Sequence, residues 1–510
     1  MLAILGGLVG LAPAQTRAAA PSHPLSSPHA VMAYCCSDVA PACRRLVSFG
    51  TRRLTMDNLN DPAGMKAVTD RMPPGRRVIF LWDVARDLLQ HPEDRCREPS
   101  GALTPHQGVW PEAGIRRVAE RVSRFLAAYR AIGGQLDLLV LDFEDGYSNW
   151  QLGTDIARWR AIQGDPRFAA LREQLGFDDL TTVAEWWKQS GDARQNYLRW
   201  NALQHERVAD ALNRAVFLPA RGYYPRVQMS NYGHHHWSRA LGVPDLNGHR
   251  EYLFGSGAHV GTHQSCELYG WLGQIRDHPP DGVASYPHSP FNSFRHALNK
   301  MRCMVGASSV PVHPWIANRA FREPYCGLEN HDLWQELVFH VGLAGADAFL
   351  FFNPRAYPGD PAPAIRTDDA QDLLFDRCLG VLDRLIGKAG RRTLSRGLVP
   401  WDGRWALTGM LAGGRTVWRF TPNADDGVPP ASALVRERPA TFRVGGETIV
   451  IPGGRMVRVE PVLSTHGFWV IAPASVRAPI VTRAPEGREG LSAASAGRAA
   501  SLTVERKARR

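Results

Sequence analysis

Residues 138–141 read Leu-Leu-Val-Leu, and three carboxylates, Asp142, Glu144 and Asp145, follow within four residues before Gly146 turns the chain. An unbroken apolar run of this length is the pattern of a strand buried on both faces, as in parallel sheets. Such a strand tolerates acids only at its carboxyl end, where side chains leave the packed layer and meet a cleft. In α/β barrels that end carries the catalytic groups. Asp142 and Glu144 are two apart and therefore share one strand face, with Phe143 and Asp145 on the other. Two carboxyls on one face can hold a single proton between them, which leaves one as a general acid near neutral pH. Such a pair also serves as a cap or ion-pair partner at many strand–loop junctions. The aromatic and amide residues at the other strand ends favour the functional reading.

Alternation of short apolar runs with amphipathic stretches extends that frame from about residue 29 to 392. Strands are expected at 29–36, 76–83, 135–144, 226–232, 259–264, 310–316 and 348–353, with helices clearest at 112–132, 196–215, 293–305, 331–343 and 370–386. In the first helix Ile115, Val118, Val122, Phe125, Leu126 and Tyr129 recur at helical spacing, the stripe that packs on a sheet. Strand–helix alternation over this length predicts an α/β fold, a (β/α)8 TIM-like barrel spanning 25–395, with an open doubly wound sheet as the alternative. Seven strands are legible; the eighth is unassigned. An insertion at 147–224, rich in tryptophan and tyrosine (Trp150, Trp159, Trp186, Trp187, Tyr197, Trp200), reads as a functional loop or a helical subdomain.

Beyond Leu398 the texture changes to short alternating segments at 405–411, 416–420, 440–444, 448–451, 456–461 and 467–471. Gly-Gly turns separate them, and they predict a small all-β sandwich over 398–471. The Ala/Arg/Ser/Pro-rich stretch 472–510 is expected to be disordered. At the other end, 1–20 reads as a signal peptide, with an apolar 2–11 core and Ala18-Ala19-Ala20 before Pro21, although a basic start is missing. The mature chain is therefore expected to be secreted or periplasmic. No other segment is long and apolar enough for a membrane span. Eight cysteines suit that compartment as staples or buried thiols, and no CxxC spacing suggests zinc.

The net charge of +11 over 510 residues comes mainly from scattered arginine. Only 506–510 is densely basic, and no basic stripe with interleaved aromatics argues for nucleic acid as a partner. Serine-hydrolase chemistry lacks its Gly-x-Ser-x-Gly turn, and phosphate binding lacks a Gly-rich loop or clustered lysines. His234-His235-His236, with His259 and His263, raises a metal-dependent hydrolase. Adjacent histidines do not converge on one ion, so a solvated loop explains the run better; no metal and no cofactor are expected.

If the strands converge, their carboxyl ends bring together Tyr34, Trp82, Asp83, Asp142, Glu144, Gln228, Ser230, Asn231, Tyr232, His263, Gln264, His313, Trp315, Asn318, Phe351, Phe352 and Asn353. Rings that stack on sugar C–H faces, beside amides and acids that bind hydroxyls, are what a carbohydrate site needs. Asp137-x4-Asp142-x-Glu144 resembles the acidic signature of chitinase-like glycoside hydrolases and, more loosely, of hyaluronidases. The resemblance covers about eight residues and departs at Val140, where chitinases carry another aspartate. It implies Glu144 as general acid/base and Asp142 as its partner toward an N-acetyl group, with Tyr232 and Trp315 as substrate-binding tyrosine and floor tryptophan. If an enzyme carboxylate is the nucleophile instead, Asp83 and Glu267 are the candidates. The expected function is a secreted glycoside hydrolase acting on a polysaccharide or oligosaccharide. The alternative is a non-catalytic carbohydrate-binding surface protein on the same scaffold.

Overall fold

The computed structural model describes residues 31–34, 42–48, 54–55, 59–82, 84–142, 156–183, 192–232, 259–268, 290–317, 331–346, 348–352, 369–387, 390–394, 399, 403–423, 439–444, 446–461, 463–464 and 466–483. Strands β1 (Val31–Tyr34), β2 (Leu46–Ser48), β3 (Leu54–Thr55) and β4 (Val78–Trp82) come first. The hairpin β5 (Arg95–Arg97) and β6 (Leu103–Gln107) follows. Then come β7 (Leu138–Asp142), β8 (Gln228–Tyr232), β9 (Gln264–Glu267), β10 (Val312–Ala317) and β11 (Phe349–Phe352). Apart from the hairpin these strands form two parallel sheets, ordered β2-β1-β11-β10-β9 and β3-β4-β7-β8. Helices cover their outer faces: Pro62–Thr69, Glu112–Ala131, Asp192–Leu212, Pro290–Ala307, His331–Ala344 and Asp369–Ile386.

The two sheets share one interior. Val78 and Phe80 of β4, Leu138 and Val140 of β7, Trp315 and Ala317 of β10 and Leu350 of β11 form a single buried cluster. The Phe80 and Trp315 rings meet edge to face, centroids 6.2 Å apart, although their strands belong to different sheets. Alternate residues pack outward: Ile79, Leu81, Leu139, Leu141 and Met229 join the helix-facing core. That two-sided burial is why β7 reads as an unbroken apolar run.

Between β8 and β9, where the sheets abut, backbone N–H groups of Thr262 and His263 both donate to the Met229 carbonyl at 3.1 Å. The Met229 N–H donates in return to Thr262 Oγ1 at 3.0 Å. Gly261 sits at φ +71°, its Cα so close to Met229 that any Cβ would lie 2.4 Å from that residue's own. Here the expected strand at 259–264 is corrected: the positive-φ turn occupies its middle, and the strand begins at Gln264 and ends at Glu267. The stretch between β1 and β4, where no strand is expected from the sequence, holds β2 and β3. β2 pairs with β1 and β3 with β4, both parallel.

Among the described residues the insertion after β7 is helical. Helices Ile156–Gly164 and Phe168–Leu175 precede Asp192–Leu212, which runs through a π-turn, Asn213–Phe217, into Leu218–Tyr223. Trp159 and Trp200 are buried against each other edge to face at 4.9 Å. These two aromatics therefore build a core. Trp150, Trp186 and Trp187 lie outside the described residues.

The C-terminal part is antiparallel: β12 (Arg392–Thr393), β13 (Trp405–Ala412), β14 (Arg415–Pro422), β15 (Pro439–Val444), β16 (Glu447–Val457), β17 (Phe468–Pro473) and β18 (Ile480–Arg483). The expected pair 448–451 and 456–461 is one strand, β16, which passes through Pro452-Gly453-Gly454 with Gly453 at φ +62°. Its first half pairs with β15 and β18 and its second with β17, so the sheet bends around Trp418, Phe420, Phe442, Ile449, Phe468 and Val470. The expectation of disorder from residue 472 is also corrected, because 480–483 pairs with 447–450 and hydrogen bonding outweighs the weak apolar pattern there. Residues 484–510, like the expected signal peptide, lie outside the described residues.

A buried polar clasp ties this sheet to helix His331–Ala344. Arg419 of β14 forks onto Glu336, through Nε to Oε2 at 2.7 Å and through Nη2 to Oε1, and both side chains are all but inaccessible. Thr421 and Ser464 hydroxyls donate to the same carboxylate at 2.6 and 2.5 Å. Since the Thr421 proton goes to Glu336, its oxygen accepts from His340 Nε2 at 2.9 Å. That leaves Nδ1 to accept from Thr408 at 2.6 Å, while Arg302 donates to the Thr408 hydroxyl at 2.7 Å. His340 is thereby held as a neutral tautomer, and burial keeps its pKa well below the usual imidazole range.

Candidate functional site

The carboxyl ends of the parallel strands are Tyr34 on β1, Ser48 on β2, Thr55 on β3, Trp82 on β4, Asp142 on β7, Tyr232 on β8, Glu267 on β9, Ala317 on β10 and Phe352 on β11. Register places several of them side by side: Asp142 with Tyr232, Tyr34 with Phe352, and Phe352 with Ala317. Glu267 is level with Trp315. Positions 82, 142, 232 and 267 have the alternation of the interior residues Phe80, Val140, Ser230 and Trp315 rather than of the helix-facing ones. Asp83, Glu144, Asn318 and Asn353, also expected at this rim, lie outside the described residues.

Other expected rim residues are elsewhere. Gln228 and Gln264 are the first residues of β8 and β9, and His263 precedes β9, so all three lie at the amino ends, away from the carboxyl rim. Because β9 begins at Gln264 rather than near 259, His263 and Gln264 fall at its amino end and Glu267 closes the strand. Asn231 shares the outward alternation of Met229 and is fully buried, and its carbonyl accepts from Trp315 Nε1 at 2.9 Å. Trp315 is 1 % exposed, two residues short of the end of β10, and fills the interior against Phe80. It is a packed plug beneath the rim, its N–H already spent on the backbone. Asp137, first acid of the resemblance, anchors the amino ends: its Oδ2 accepts from Arg77 N–H at 2.9 Å, and its backbone bonds both Arg77 and Gln228.

Below Glu267 the interior is polar on one side only. His263 and His313 stack at 3.8 Å with an interplanar angle of 21°, and the Thr262 hydroxyl lies 2.7 Å from His263 Nδ1. Ser230 and Ser265 are buried beside them in strand order. Among the described residues neither ring nitrogen of His313 nor Ser230 Oγ has a hydrogen-bond partner. Burial pushes the His313 pKa down to about 3, so the ring is neutral at ordinary pH and its stacked neighbour faces no like charge.

Among the described residues no group of three or more His, Cys, Asp and Glu is arranged to hold a metal ion. His234-His235-His236 lies outside them. Cys96, Cys266 and Cys378 are buried thiols, with burial pushing Cys96 up to about 11 and Cys266 to about 12, far from a nucleophilic thiolate. Among the described residues no helix is long and apolar enough to cross a membrane.

No family model and no curated protein matches the chain. Solved structures similar to it include glycoside hydrolases. One is a GH36 alpha-galactosidase from Geobacillus stearothermophilus, in complex with raffinose (10 % identity, TM-score 0.36, 83 % of this chain and 49 % of that one). Another is a GH30 endoxylanase from Clostridium papyrosolvens C71 (8 % identity, TM-score 0.31, 88 % and 97 %). A third is an alpha-amylase from Geobacillus thermoleovorans, complexed with acarbose (10 % identity, TM-score 0.31, 89 % and 97 %). The chain spans about half the length of the alpha-galactosidase. At these scores the likenesses assign no residue of the site and no step of a reaction.

Proposed function

We propose that this chain is a glycoside hydrolase whose acids stand on the carboxyl rim of a (β/α)8 barrel. In this reading β2 and β3 are two ends of one barrel strand, and the Met229 bonds close the ring between β8 and β9. The bent C-terminal sheet is a small sandwich. The observation that carries the proposal is that Asp142 and Glu267 close strands flanking β8, both on interior-facing alternation, above a floor plugged by Phe80 and Trp315.

Glu144 protonates the glycosidic oxygen, and Asp142 assists it or a substrate acetamido group. Glu267, from the far side of Tyr232, is the carboxylate available to attack the anomeric carbon or to activate water. Strands two apart are separated by about 10 Å at the backbone. Inward-reaching carboxyls on them can approach about 5 Å for retention or about 6.5–9.5 Å for inversion. Tyr34, Trp82, Tyr232 and Phe352 supply sugar-stacking rings. The apolar 2–11 core of the first twenty residues supports action outside the cytoplasm, in the periplasm or secreted.

The test is hydrolysis of neutral and N-acetylated polysaccharides by the parent, Glu144→Gln, Asp142→Asn and Glu267→Gln. The acid variants should lose on the order of 10²–10⁴-fold in kcat while still binding glycan. Parent-like rates in both glutamate variants would remove the assignment. Glycan binding by a parent that never turns over would favour the surface-protein alternative.

A further inference from the structure

The two parallel sheets abut between β8 and β9, and the residue that clamps this joint from outside is Asn213. This asparagine opens the π-turn Asn213–Phe217, in which one extra residue per turn offsets the side chain from the α-helical face. Its Nδ2 donates to the His259 carbonyl at 3.0 Å, and its Oδ1 accepts from the Gly261 N–H at 2.6 Å. Both ends of one amide thus grip the turn that delivers Thr262 and His263 to Met229. Six residues after Gly261 the chain reaches Glu267. Among the described residues no strand ladder sets the height of β9 against β8, because the two strands end separate hydrogen-bonded sheets; the Met229 bonds and the Asn213 clamp on the turn hold the joint instead.

We propose that Asn213 is a positioning residue for the reaction, setting the height of Glu267 against Asp142 through the 259–263 turn. This rests on the proposed role of Glu267. A π-turn at this point has a physical rationale: an ordinary α-turn would carry the amide about 100° around the helix and away from the turn. A misplacement of reacting groups by about 1 Å costs up to 10²-fold in rate.

The experiment compares the full chain with Asn213→Ala and Asn213→Asp by amide hydrogen exchange and by steady-state kinetics across pH. Aspartate keeps the acceptor for Gly261 and loses the donor to His259. In Asn213→Ala, exchange at Gly261, Thr262 and His263 should quicken at least about tenfold while that at Leu139 and Val140 is unchanged. kcat should fall about 10- to 100-fold with KM within about twofold and an altered pH profile, and Asn213→Asp should be intermediate. Unchanged exchange at 261–263 overturns the clamp. Quickened exchange with an unaltered kcat and pH profile overturns the positioning role. If the parent hydrolyses no glycan, the hydrolase reading fails on its own, and the exchange measurement still decides whether Asn213 holds the joint.

Discussion

Replacing Arg419 with alanine removes the only guanidinium on Glu336 among the described residues and leaves that carboxylate at 0 % exposure with two hydroxyl donors. Breaking a buried pair by deleting one partner typically costs about 3–5 kcal/mol, because the remaining charge stays desolvated. The titration of Glu336 leads to a similar figure. Burial pushes its carboxyl up, and the charge and hydrogen bonds of Arg419 more than reverse this, taking it from the ordinary 4.5 to about 2. That shift corresponds to about 3 kcal/mol of preference for the ionised form. A depressed carboxyl stabilises the fold fully above pH 4.5, and the contribution is lost as pH falls from there through about 2. In Arg419→Ala the opposing attraction is gone, so acid pH should hurt the variant less than the parent. Urea unfolding followed by tryptophan fluorescence reads both effects. Trp418 and Trp469 are buried in the sheet, and the Arg419 guanidinium lies 4.8 Å from the Trp469 ring. The variant should be about 3–5 kcal/mol less stable at pH 7, and the gap should narrow by at least about 1 kcal/mol at pH 3.5. A loss below about 1 kcal/mol at pH 7, or a gap independent of pH, would refute the clasp as the joint between helix and sheet.

Gly261→Ala should be strongly destabilising, by about 2–5 kcal/mol, since it combines a left-handed backbone with a Cβ 2.4 Å from Met229 Cβ. Equilibrium urea unfolding measures this, and a near-neutral substitution would mean the 259–263 turn is not held as described. His313, with its pKa depressed to about 3 by burial, stabilises fully above about 6.5 and progressively less as pH falls toward 3. Unfolding free energies from urea titrations between pH 6.5 and 4 should therefore fall more steeply for the parent than for His313→Gln, by up to about 1.4 kcal/mol per pH unit; parallel slopes would contradict the neutral ring.

The sequence was most legible where one force dominates over a long stretch. The stripe Ile115, Val118, Val122, Phe125, Leu126 and Tyr129 is buried as its spacing requires, and helix Glu112–Ala131 keeps its expected bounds to within a residue. Gly413-Gly414 falls at a real turn between β13 and β14, whereas Gly453-Gly454 lies inside the single strand β16. The apolar run before Asp142 became a strand covered on both sides, and its first acid-bearing position closes that strand.

What the pattern alone could not fix was anything set by a partner distant in sequence. Residues 259–264 look like a strand, but contact with Met229 forces Gly261 to positive φ and starts β9 later. Trp315 looks like a sugar platform until its ring packs against Phe80 in the interior and its N–H is taken by the Asn231 carbonyl. Asn213 carries no local signal, since its role depends on a turn 46 residues away. Periodicity and turn chemistry are local and survive in one dimension. Which face of a strand sees a cleft, and which amide grips which turn, is decided only when the sheets meet.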